Sequence, residues 1–118
     1  MKGLKNRVQL IGVVQDKLEI RKTRNGKRLS FRLAMTMEFR DENGEKVTSQ
    51  LENKVIAWGR LAELAEKRIN IGSEVLVGGI LVNRSYLENG IRHDVAEVEA
   101  SDFWFVNDFE NIFGPRSW

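Results

Sequence analysis

The sequence predicts an all-β fold with one short helix, a small barrel whose elements run strand-strand-strand-helix-strand-strand. Three observations carry that prediction. Apolar and polar residues alternate along most of the chain, and the period changes to a helical one in a single place. Strands and helices do not alternate, which excludes a doubly wound parallel sheet. The 118 residues make one domain with one core.

In the first strand Val8, Leu10, Gly12 and Val14 alternate with Arg7, Gln9, Ile11 and Val13, so both faces are expected to be largely buried. A second run, Leu18 to Thr23, meets Arg24-Asn25-Gly26-Lys27, whose Asn-Gly pair predicts a tight hairpin. On the return, Leu29, Phe31, Leu33, Met35 and Met37 share a phase that continues to Phe39. Asp41 to Glu45 is polar and reads as a loop. The next strand spans about Val47 to Trp58.

Leu61, Leu64, Ala65 and Ile69 then follow helical spacing, with Glu63 and Lys67 placed for an i,i+4 ion pair. Asn70-Ile71-Gly72-Ser73 stops the helix. Two strands, about Glu74–Leu87 and Ile91–Ala100, follow around the Glu88-Asn89-Gly90 turn. Five curved antiparallel strands with a helix between the third and fourth are the arrangement of the oligonucleotide/oligosaccharide-binding (OB) barrel. Gly12, Gly78 and Gly79 fall inside strands, where glycine marks a bulge or a barrel corner. Residues 1–103 are expected to form the barrel and 104–118 a short aromatic arm.

Composition removes whole classes of function. No apolar run approaches the roughly 18–20 residues of a membrane-spanning helix. The start, Met1 to Asn6, has no apolar segment of a signal peptide, so a cytoplasmic protein is expected. Zero cysteines exclude disulfides, thiol catalysis and zinc knuckles. The single histidine, His93, neighbours Asp94, but adjacent strand residues point to opposite faces and make no shared site. Phosphate-binding glycine loops, nucleophile elbows and paired metal-binding histidines are all missing from the sequence. Asp94, Glu97, Glu99 and Asp102 lack regular ligand spacing and read as solvated strand residues. Neither catalysis, a metal nor a cofactor is expected.

Charge is more informative by halves than in total. Residues 1–60 carry 14 Lys/Arg against 7 Asp/Glu, whereas residues 61–118 carry 5 against 10. Seven cations lie between Lys17 and Arg32, spread through a hairpin rather than clustered in a tail. That pattern suits a face turned toward a polyanion. Binding an unpaired nucleic-acid strand needs such cations together with aromatic rings for the bases. Alternation puts Lys54 and Trp58 on one face of their strand, and Arg84 and Tyr86 on one face of theirs. Trp58 is alternatively a cap on the barrel bottom. Phe39, in phase with the core, becomes a platform if a bulge reverses it.

Several segments resemble the bacterial single-stranded DNA-binding protein family. They are Asn6-Arg7-Val8-Gln9-Leu10-Ile11-Gly12, Glu19-Ile20-Arg21, Asn25-Gly26-Lys27, Phe31-Arg32-Leu33-Ala34 and Trp58-Gly59-Arg60-Leu61-Ala62-Glu63-Leu64-Ala65. Gly72 to Val77 and Asn83-Arg84-Ser85-Tyr86 continue the match, which covers about residues 4–100 in order. The resemblance implies a barrel that wraps single-stranded DNA with little sequence preference in replication, recombination and repair. It implies stacking by Phe39, Trp58 and Tyr86, and phosphate contacts by Arg7, Lys54, Arg60 and Arg84. It further implies a homo-oligomer, a tetramer ahead of a dimer, with replication or repair proteins as partners.

The chain also departs from the family. Glu52-Asn53-Lys54 stands where the family has a Trp-His-Arg run, so a carboxylate replaces a stacking ring and Asn53 replaces an interface histidine. Asn70, Ile71 and Val82 replace basic residues. In place of a long acidic-tipped tail stands Asp108-Phe109-Glu110-Asn111-Ile112-Phe113, read as an extra strand or packing arm ahead of a recruiting peptide. These departures leave a second reading, a protein-interaction barrel of primosome- or conjugation-accessory type with weak or no DNA binding.

Overall fold

The computed structural model describes residues 6–106 and the backbone of 110–111. Among them are strands β1 (Val8–Val14), β2 (Glu19–Thr23), β3 (Gly26–Arg40) and β4 (Lys46–Trp58), then helix α1 (Gly59–Arg68). Strands β5 (Glu74–Glu88), β6 (Ile91–Phe105) and β7 (Glu110–Asn111) follow. The barrel runs β1-β5-β6-β4-β3, and β3 returns to β1 at Val13–Ala34 and Val14–Leu33. This is the expected OB barrel of five strands. The β2 strand is an additional flap, hydrogen-bonded to β3 outside the ring.

One pairing differs from the all-antiparallel expectation. Strand β4 lies parallel to β6 over Lys54–Glu97, Val55–Val98 and Ile56–Glu99. Closing the ring forces it: β4 and β6 are separated by a helix and a full strand, so they meet running the same way. The C-terminal pairing of β7 with Trp104 and Phe105 of β6 accords with an extra strand, while 107–109 and 112–118 of the expected arm lie outside the described residues.

The core follows the sequence phases where strands cross the barrel. Leu29, Phe31 and Leu33 of β3, Val55 and Ala57 of β4, and Val75 and Val77 of β5 are buried. Phe31 packs against Phe103 with ring centroids 5.9 Å apart. Ala62 and Ala65 of α1, with Ile69, add their small faces. The helix is tied outward by Lys27 Nζ, 2.7 Å from Glu66 Oε1, rather than by an ion pair between Glu63 and Lys67. That contact holds the Lys27 pKa above its ordinary value, first through the hydrogen bond to Glu66.

At Gly78 and Gly79 the strand glycines mark a bulge, as expected. At Gly78/Gly79 the register slips, so that Gly78 faces Asp102 and Gly79 faces Ala100. Ser101 is thus an extra residue on β6, and its hydroxyl donates to the Gly78 carbonyl at 3.2 Å. The bulge reverses the phase of β6, which is why Val98, Ala100 and Phe103 all point inward. A Cβ on Gly79 would lie 2.1 Å from the Glu99 carbonyl oxygen.

Two expectations are corrected. Strand β1 is buried on one face only, with Ile11 and Val13 exposed on the other. The first hairpin turns on Arg24-Asn25, one residue earlier than the Asn-Gly signal, with Thr23 paired to Gly26. Gly26 has φ +108°, so it supplies the left-handed residue after the turn.

Candidate nucleic-acid interface

The outward face of β3, β4, β5 and β6 gathers most of the candidate residues. On β3 and β4 the facing pairs are Arg28–Trp58, Ser30–Ile56 and Arg32–Lys54. Lys54 then faces Glu97 of β6, and Glu97 faces Val82 of β5. Two positions further along β5 comes Arg84, and two further again Tyr86, directly across from His93. Trp58, Lys54, Arg84 and Tyr86 therefore share one continuous face, as the alternation predicts.

The aromatics on this face have covered backs. Trp58 is 37% exposed, and the guanidinium carbon of Arg28 lies 5.9 Å from its ring centroid. Trp58 lies in the outward phase of Lys54, on the side of β4 opposite the buried Ala57. Tyr86 is stacked on His93, with centroids 5.1 Å apart and rings 17° from parallel. His93 Nε2 lies 3.9 Å from Glu88 Oε2. The histidine is thus a ring partner to a candidate platform, a role that its isolated position in sequence does not announce.

Phe39 is 51% exposed, yet no bulge reverses it. The β3–β4 register is unbroken from Arg28–Trp58 to Arg40–Lys46. Phe39 stays in the core phase and emerges because the two strands run on as a ribbon after the core has ended. By alternation it lies on the opposite side of β3 from Arg28 and Arg32, and the structure does not bring it together with Trp58. Arg7, just ahead of β1, and Arg60, in the first turn of α1, are exposed and off the β3–β4 face.

Sequence reasoning missed the carboxylates that organise the cations. Glu97 is 2% exposed, not solvated. Its Oε2 is 3.6 Å from Lys54 Nζ and its Oε1 is 2.9 Å from Arg84 Nε. No donor is aligned on Oε1, so the Arg84 contact is an ion pair and not a directed hydrogen bond. Burying a carboxylate is costly without such partners, and two cations on one carboxylate make the position tenable. The signal available in sequence was phase: Glu97 shares the outward side of β6 with Val95 and Glu99, beside Lys54 only once β4 and β6 meet.

Glu52, which the sequence already singles out, is exposed on the same face. Its Oε1 lies 3.9 Å from Arg32 Nη1, while Arg32 Nε donates to Asp16 Oδ2 at 2.5 Å. The hydrogen bond to Asp16 is the main reason that the Arg32 pKa is raised. The negative charge of Glu52 is therefore partly answered on the face itself. Beside it, a hollow of about 200 Å³ is lined by Lys17, Glu19, Ser30, Arg32 and Lys54. Among the described residues no cluster of three potential metal ligands occurs, and no helix is long and apolar enough to cross a membrane.

A closed β1-β5-β6-β4-β3 barrel with cations and a half-open ring on its β3–β4 face defines an OB-fold binding protein. Residues 5–106 match the model of the Single-strand binding protein family, and the chain belongs to that family. Its members are binding proteins, and this chain binds single-stranded DNA. It is 35% identical over 99 residues to Single-stranded DNA-binding protein 2 of Streptococcus agalactiae, covering 83% of this chain and 74% of that one. It is 30% identical over 100 residues to Single-stranded DNA-binding protein 1 of Chlorobaculum tepidum, covering 82% and 62%. Among solved structures it is similar to a Plasmodium falciparum SSB in complex with ssDNA. The TM-score is 0.80 at 26% identity, covering 90% of this chain and 97% of that one. The small single-stranded DNA-binding protein of Streptomyces coelicolor gives 0.68 at 25%, covering 84% and 92%.

Proposed function

We propose that the strand lies along the outward face of β3–β4 and continues onto the β5–β6 ribbon. Trp58 and Tyr86 stack bases there, and Phe39 takes a further base where the DNA rounds the β3–β4 ribbon. Lys54 and Arg84 contact phosphates on the face, and Arg7 and Arg60 contact them as the strand leaves it. The observation that carries this reading is the half-open Trp58 ring in one row with Lys54 and Arg84. The protein acts without catalysis, in the cytoplasm, coating exposed strands during replication, recombination and repair. Residues 1–103 are the binding domain and 104–118 a short arm that packs as an extra strand, with replication or repair proteins as partners.

Self-association fits the same reading, as a tetramer ahead of a dimer. Ile11 and Val13 present an apolar outward side on β1, whose pairing with β3 covers only Val13 and Val14. Apolar positions on an incompletely paired strand favour a second copy.

Titration with a (dT)35 oligonucleotide tests the binding face. Quenching of Trp58 emission is expected at low salt, with a Trp58→Phe variant separating it from Trp104 and Trp118. Each stacked base is worth about 1–3 kcal/mol, so Trp58→Ala should weaken binding roughly tenfold. Quenching that survives unchanged in the Trp58→Phe variant would place the strand elsewhere.

A further inference from the structure

Arg28 is the anomaly of the DNA-bearing face. It is 9% exposed, yet among the described residues neither it nor Arg21 has a carboxylate oxygen within 4.0 Å. Arg32, Lys54 and Arg84 on the same face are each already paired with a carboxylate. Arg28 instead lies against the Trp58 ring. Directly across the β2–β3 ladder from it stands another arginine, Arg21. Like charges facing each other across an antiparallel pair are destabilising. The next pair repeats the pattern with Lys22 opposite Lys27, but Lys27 has Glu66 as its counter-charge. Glu19, two residues from Arg21 on the same side of β2, comes within ion-pair distance of neither arginine.

A like-charged pair with one member buried and no anion of its own is the arrangement of an anion seat. We infer that Arg21 and Arg28 clamp one phosphate of the bound strand, immediately beside the base stacked on Trp58. Two guanidinium forks opposite each other suit a phosphodiester, whose free oxygens each accept paired N–H donors. The Trp58 ring holds the Arg28 fork in plane through a cation–π contact, so little freedom is lost when the phosphate arrives. The inference deepens the proposed binding face and rests on it for the direction of the strand.

Salt-dependent titration of (dT)35 into R21A, R28A and the double variant tests the clamp, with K54A as reference. Each single change is expected to weaken binding roughly tenfold. Each should also reduce the log–log salt slope by about 0.7, the share of one phosphate. The double variant should lose little more than either single one, because both arginines serve the same phosphate. An unchanged slope in R28A and R21A overturns the clamp even where K54A weakens binding as the wider reading requires. Two full, additive losses overturn it as well, since they mean separate phosphates. A clamp intact by these criteria while K54A binds normally would leave the inference standing and displace the wider site. R21A, at an exposed position, keeps the test open if R28A fails to fold. Without DNA, R21A should melt at a higher temperature than the parent at low salt, and the gap should close at high salt.

Discussion

At the scale of single residues, Glu97 positions two cations of the proposed binding face. It is a buried carboxylate between two half-exposed cations, so it sets where Lys54 and Arg84 stand and also offsets part of their charge. Glu97→Gln keeps the volume and removes the charge. Breaking a fully buried pair costs about 3–5 kcal/mol, but Lys54 and Arg84 can turn to water, so roughly 1–2 kcal/mol is expected. A lower urea midpoint at unchanged slope checks this. The same variant should show a steeper salt dependence of DNA binding, because the two cations lose their built-in counter-ion. Alternation made the partners Lys54, Trp58, Arg84 and Tyr86 legible. It could not reveal Glu97, because its environment exists only where residues 54–56 meet residues 97–99.

At the scale of elements, the lesson lies in where strands outrun the core. The β3 phase was right from Leu29 to Phe39, but phase reports a side and not depth. Phe39 and Met37 are exposed because β3 and β4 continue as a ribbon past the last buried layer. The β5–β6 ribbon does the same and ends on Asn89 and Gly90, with φ of 54° and 78°. Two successive positive φ values make the type I′ turn that matches strand twist, which the Asn-Gly signal does anticipate here. Gly90→Ala forces a Cβ into that left-handed conformation at a cost of about 1 kcal/mol. A fall in melting temperature of about 4 °C is expected, read by circular dichroism. In the first hairpin the same dipeptide was displaced by one residue because Thr23 closes the turn itself, its hydroxyl donating to the Gly26 carbonyl at 2.7 Å.

At the scale of the whole molecule, the two-signed charge distribution finds a partial explanation. The basic surplus of residues 1–60 sits in β2, β3 and β4, the strands that form the face. Much of it is answered locally by Asp16, Glu52, Glu66 and Glu97, two of them from the acidic half of the chain. Self-association belongs to this scale too. Ile11→Glu adds a charge to the apolar outward side of β1 without touching the core. The expected outcome is a protomer mass in sedimentation at micromolar concentration, where the parent sediments as an oligomer; an unchanged oligomer would put the interface on another surface. Barrel and helix were readable from periodicity, whereas assembly depends on surfaces whose partners no single sequence contains.

The three-residue parallel seam between β4 and β6 has a kinetic meaning. Its partners lie some forty residues apart in the chain, so the loop-closure entropy must be met before the seam rewards it. With three paired residues it is, beside the two-residue closure of β3 on β1, one of the two weak joints of the ring. Opening there would part Lys54 from Glu97 and break the row proposed to receive the strand. A nucleic acid lying across β4 and β5 as proposed would act as a latch over this weak joint, so that occupancy and intactness of the fold become one equilibrium.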